Sequence, residues 1–223
     1  MEITPALVMG MWTGGLAAGG ALVARLRVVG PGYSWLAAGV VLLFGALAAG
    51  AGGGGLAWVA VAVTVAAAVV ARFPTSSTVA FGTAAVLFLA AVAGDSQLVP
   101  LVTGAVFLGG VTSEMMLGHW YLVDPRLPRW ALRLLTLVGS AGLVLDFAYL
   151  ALNGGFDWEE AGTAMGAAFL VLSATTGLLM LGVWFSLKEE KYTGVMAATG
   201  LSYLATLTAV AAAVTGRMVA FGG

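Results

Sequence analysis

Long apolar runs separated by short polar, glycine-rich or proline-bearing breaks set the pattern of this chain. Eight runs stand out, at about 4–25, 32–50, 56–72, 78–94, 98–118, 130–152, 162–186 and 195–219. A helix of about 20 apolar residues reaches across a bilayer, with a range of about 17–25. Backbone groups in lipid must bond within their own segment, so the runs predict helices rather than open strands. The breaks agree: RLRVVGPG, AGAGGGG, RFPTSS, GDSQ, HWYLVDPRLPR, NGGFDWEE and KEEKYT. Pro125 and Pro128 block a continuous helix through the fifth break. The expectation is an all-α, polytopic integral membrane protein of eight transmembrane helices, forming a single transmembrane domain over 1–223.

Composition points the same way. The 223 residues are 61% hydrophobic and 9% charged, and mean hydropathy is +1.04. A soluble domain carries about 25% charged residues, so this chain cannot clothe itself for water. The opening MEITPALVMG has no basic region, and its apolar run is too long for a signal-peptide core. It reads as a retained first membrane helix.

Charge sets the orientation. Arg25, Arg27, Arg72, Arg126, Arg129, Arg133, Lys188 and Lys191 fall on one side of an eight-helix chain, and Arg217 alone falls on the other. Glu2, Asp95, Asp157, Glu159 and Glu160 lie opposite the basic loops. The positive-inside rule then places the Arg-rich loops in the cytoplasm and both termini outside. The expected location is a prokaryotic cytoplasmic (inner) membrane.

A shift along the chain suggests an internal repeat. Pro5 aligns with Pro100, Trp12 with Phe107, Gly14–Gly15 with Gly109–Gly110, and Trp35 with Trp130. The halves would be 1–95 and 96–223. Four helices in each make the repeat parallel rather than inverted (4+4). The alternative is chance, because glycine and alanine are abundant.

Candidate chemistry is sparse. The net charge is −1, with no basic patch for phosphates, so no nucleic-acid partner is expected. The absence of cysteine removes disulfides, Cys-ligated zinc and iron–sulfur clusters. One histidine cannot build an all-His metal site or a bis-His haem. No metal site is expected, and haem ligation by His119 is the lesser option. There is no Walker loop, HExxH or GxSxG motif, which argues against a self-contained enzyme.

Four residues remain as candidates for a proton, quinone or ligand site: Glu114, His119, Asp146 and Tyr203. Glu114 lies between Gly110 and Gly118, about one turn from the inner end of the fifth helix as bounded here. An ionisable group inside a span is a functional candidate by default. The structural alternative is a carboxylate bonded to a neighbouring helix. His119 lies about 140° around the helix from Glu114, where the helix is expected to leave the membrane. It suits a quinone, a haem or a proton relay, or else a simple aromatic belt with Trp120 and Tyr121. Asp146 lies in the outer third of the sixth helix. Its structural alternative is an ion pair with Arg217. Thr199, Ser202, Tyr203 and Thr206 form one expected polar stripe on the last helix, facing a cavity or Ser173, Thr175 and Thr176 of the seventh. Trp120, Tyr121, Arg126, Arg129 and Arg133 are candidates for contact with inner-side lipid or a partner.

These features favour a membrane-embedded subunit of a larger energy-converting or redox complex, with a quinone or haem b as the fitting cofactor class. Its partners would be membrane lipids and other membrane subunits. The loops are too short to hold a soluble catalytic part. One alternative is a small proton-coupled transporter or channel, against which stands the lack of mid-helix prolines. The other is a structural or assembly protein with no site of its own.

Overall fold

A computed structural model describes residues 3–93, 98–124, 126–153 and 163–221. Glu2, Asp95, Asp157, Glu159 and Glu160, the outer acids of the orientation argument, lie outside the described residues, as does Pro125. Among the described residues the chain is helical, with no strands. The helices are α1 (Pro5–Leu26), α2 (Pro31–Ala48), α3 (Gly54–Val69), α4 (Pro74–Val92), α5 (Leu98–Val123), α6 (Trp130–Leu152), α7 (Thr163–Ser186) and α8 (Tyr192–Phe221). Prolines open α1, α2 and α4, where a missing N–H costs no helical bond. The Thr4 side chain caps α1 by accepting from the Leu7 N–H at 3.1 Å. Arg27, with φ 56°, closes that helix in the left-handed region.

Among the described residues, 7 helices are long and apolar enough to cross a membrane, the character of a multi-pass membrane protein. The count is below the expected eight because Pro31–Val69 forms one 39-residue apolar run. α3 alone has 16 residues, about 24 Å of helix against a hydrocarbon core of about 30 Å. The run is nevertheless not straight. AGAGG (Ala49–Gly53), part of the glycine-rich break between the second and third runs, forms a π-helical turn in which Gly52 has φ 111°. Trp35 near the start of α2 then donates its indole N–H to the Ala68 carbonyl near the end of α3, at 3.0 Å. A continuous helix would separate those residues by about 50 Å. α3 therefore folds back along α2.

Two rings of helices result. In the first half α1 packs on α2 and α4, and α3 joins α2 to α4. In the second, α5 packs on α6 and α8, and α7 joins α6 to α8. α1 against α5 is the main contact between the rings. Their backbones touch at Gly15 and Gly109, where a Cβ on either would strike the other helix's main chain.

The connections bring the basic residues to one end of the bundle. Arg27 reaches Thr75 at 3.3 Å. Trp120 meets Tyr33 edge-on, with ring centroids 6.1 Å apart. Arg133 donates to the Leu187 carbonyl at 2.7 Å. Met11, Gly104 and Arg217 come together towards the opposite end.

Candidate functional site

α5 runs to Val123, five residues beyond the bound expected from its apolar pattern. His119, Trp120 and Tyr121 are therefore helical, and His119 does not mark the exit from the helix. Trp120 and Tyr121 are apolar enough along their bodies to continue the turn, and Asp124 and the residues after it end it. The longer helix also moves Glu114 inward, to nine residues, or about 14 Å, from the end.

Glu114 is fully buried, with 0% exposure. The Ser202 hydroxyl of α8 lies in hydrogen-bond contact with Glu114 Oε2. Among the described residues, Oε1 has no partner and no basic side chain pairs with the carboxyl. Gly118, one turn on, faces Thr199, whose Oγ1 would lie 2.9 Å from an added Cβ. This lack of side chain lets α8 come close enough for Ser202 to reach Glu114. Ser202 also lies 2.7 Å from the Ala198 carbonyl. A serine hydroxyl carries one proton, so it cannot donate to both at once. Either Ser202 donates to the carboxylate, or the carboxyl carries the proton, donates to Ser202 Oγ and leaves Ser202 to donate to Ala198. The two arrangements differ by one proton, and the same heavy-atom geometry serves both.

The polar stripe expected on the last helix divides. Thr199, Ser202 and Thr206 are buried, and Ser202 meets α5 through Glu114. Tyr203 is 45% exposed, and its hydroxyl sits 3.1 Å from His119 Nδ1. One residue step turns a helix by about 100°, so Ser202 and Tyr203 serve different faces. Glu114 and His119 are thus not brought together. Thr176 of α7 instead donates to Thr208, outside the stripe, at 2.8 Å.

Asp146 has a contrasting environment. Arg217 grips it with both terminal nitrogens, Nη1 to Oδ2 at 3.0 Å and Nη2 to Oδ1 at 2.8 Å. Thr103 adds a third donor to Oδ1 at 2.7 Å. Arg217 also donates to the carbonyls of Ala213 at 3.0 Å and Pro100 at 2.5 Å. This joins α5, α6 and α8 through one ion pair whose side chains are 0% and 3% exposed. Thr103 and Gly104 had not been singled out from sequence. Gly104 leaves the space that the guanidinium fills, and the sign of it is a Thr-Gly pair one turn beyond Pro100.

The basic, aromatic connection is occupied by its own fold. The Tyr121 hydroxyl donates to the Pro128 carbonyl. Arg129 donates to the carbonyls of Glu189, Glu190 and Lys191, which pins the turn between α7 and α8. Arg133 holds the end of α7. Arg126 remains exposed. Among the described residues no group of three or more His, Cys, Asp or Glu is placed to hold a metal. No known family, curated protein or solved structure matches the chain.

Proposed function

We propose that this chain is a membrane-embedded subunit of a larger energy-converting or redox complex, and that Glu114 is its proton-handling residue. The observation that carries this reading is the carboxyl itself. It is buried without a counter-charge, and its serine partner can stand on either side of a proton transfer. An uncompensated carboxyl in an apolar interior is costly, and a helix-packing role alone would be served by a neutral side chain. The short connections support the subunit reading, since they leave no room for a soluble catalytic part. His119 with Tyr203, towards the arginine-rich end, is the second candidate point of contact for a partner or a quinone.

The same reading takes the chain across a prokaryotic inner membrane eight times. The fold-back of α3 along α2 supports the count. The gathering of eight basic residues supports a cytoplasmic arginine-rich end, with both termini outside. The parallel repeat gains support from the α1–α5 crossing. It joins Gly15 to Gly109, the aligned counterpart of Gly14.

Gentle purification from the native membrane tests the proposal, with identification of copurifying subunits and infrared spectroscopy of the carboxyl region. Copurifying redox or energy-converting subunits are expected, together with a proton-linked carboxyl band that Glu114→Gln removes. A partner-free chain whose carboxyl bands are unchanged in Glu114→Gln would overturn it. Proton-coupled uptake by that chain in proteoliposomes would instead establish the transporter reading.

A further inference from the structure

The Gly15–Gly109 contact draws α1 and α5 together, and a narrow groove of about 170 Å³ runs beside it. Gly15 and Gly110, both buried, lie at its floor. Leu89 of α4 and Val138 of α6, both half-buried, stand on either side. Along α1 the groove runs from Gly14 past the exposed Ala18 to Leu22, about 12 Å. Among the described residues its lining is Gly, Ala, Val and Leu alone. Arg25 stands where this groove meets the arginine-rich end. It lies almost two turns beyond Ala18 and within about 20° of the same bearing on α1. Groove and arginine therefore share one helix face. Arg25 is exposed, and no hydrogen bond or ion pair holds it among the described residues. Arg129 and Arg133, by contrast, are taken up by backbone carbonyls. The charge around Arg25 is also one-sided. Arg27 and Arg72 flank α1 and α4 at the same end, and no Asp or Glu occurs between residues 3 and 94. The bases of the second half have Asp124, Glu189 and Glu190 among them.

From this juxtaposition we propose that an anionic phospholipid of the leaflet at the arginine-rich end binds here, with one acyl chain in the α1–α4–α5–α6 groove and its phosphate at Arg25. The size of the groove decides against other occupants. A helix with its side chains is about 10–12 Å across and cannot enter a space of this volume. Compact ring ligands occupy about 300–1,000 Å³ and need a few convergent polar groups, and the described lining offers none. A single hydrocarbon chain requires only a narrow apolar surface. The charge then selects the headgroup. Three arginines without a carboxylate attract a lipid of net negative charge, whereas a zwitterionic headgroup brings a cation of its own. The proposal does not rest on Glu114.

The test uses the delipidated full chain in detergent, with bound lipid counted by native mass spectrometry. Dioleoyl phosphatidylglycerol is the probe. Dioleoyl phosphatidylcholine, with the same chains and no net charge, is the control, and glycerol phosphate presents the headgroup chemistry without a chain. One phosphatidylglycerol is expected to bind saturably, more tightly than phosphatidylcholine, and to persist in excess glycerol phosphate. Arg25→Gln should weaken it about fivefold, the worth of one arginine at an anionic lipid surface. Ala18→Phe, which fills the groove from its open side, should abolish the site and leave the thermal midpoint unchanged. Arg126→Gln should leave the lipid affinity unchanged. Equal affinity for the two lipids, displacement by glycerol phosphate, undiminished binding in Arg25→Gln or Ala18→Phe, or an equal loss in Arg126→Gln would overturn the proposal. So would photo-cross-linking from position 18 that captures a partner helix in place of lipid.

Discussion

Among the described residues two carboxyl groups are buried, and their surroundings are opposite. Asp146 receives three hydrogen bonds from Arg217 and Thr103, while Glu114 has one serine contact and an oxygen without a partner. Glu114 of α5 meets α8, and Asp146 of α6 meets both α5 and α8. The difference is the cation. A matched pair fixes three helices and holds its charges constant. A carboxyl that meets only a hydroxyl can change its proton count without breaking an ion pair. Burial by itself therefore does not separate a strut from a working group, whereas the inventory of donors does.

The contrast can be broken most strongly at Asp146. Asp146→Ala strands the guanidinium in an apolar interior and should cost about 3–5 kcal/mol, read as a large drop in the thermal midpoint of the detergent-solubilised protein. Asp146→Leu combined with Arg217→Met should recover most of that loss, because both charges leave together. Gly104→Ala comes next. The added methyl meets the Arg217 guanidinium and Met11, and overpacking of this kind costs about 1–3 kcal/mol. Ser202→Ala should cost about 1 kcal/mol, since it removes the one contact of the Glu114 carboxyl. Glu114→Gln is the smallest in stability, about 1 kcal/mol or less, since the amide can keep the Ser202 contact. Its effect belongs in partner-complex turnover instead. A large midpoint loss in Glu114→Gln with unchanged turnover would make Glu114 a strut like Asp146.

Much of the frame was legible in the chain itself. Apolar runs and prolines mark helix positions because a bilayer enforces both length and internal bonding. The pairing of Asp146 with Arg217 was within reach because two opposite charges at matching depth have few alternatives to each other. Other features depended on long-range geometry. Ser202 meets Glu114 across 88 residues, and the apolar pattern of α5 carries no mark of its partner. Tyr203 shares a helical stripe with Ser202 on paper, yet the rotation of α8 turns it to His119. α5 outlasts its purely apolar stretch because Trp120 and Tyr121 pack against Tyr33 and the Pro128 carbonyl, contacts that no local window contains.

The Gly15–Gly109 crossing has a consequence for how the molecule is made. The two glycines are separated by nearly half the chain, and a ribosome adds about 5–20 residues per second. The first helix therefore waits about 5 to 20 s in the membrane before its deepest partner emerges. Throughout that wait its bare glycine face is open to lipid tails, or to the same face of another nascent copy. Synthesis slowed between the two halves should lengthen that exposure and favour mispaired chains, which makes the timing of translation a part of this fold's assembly.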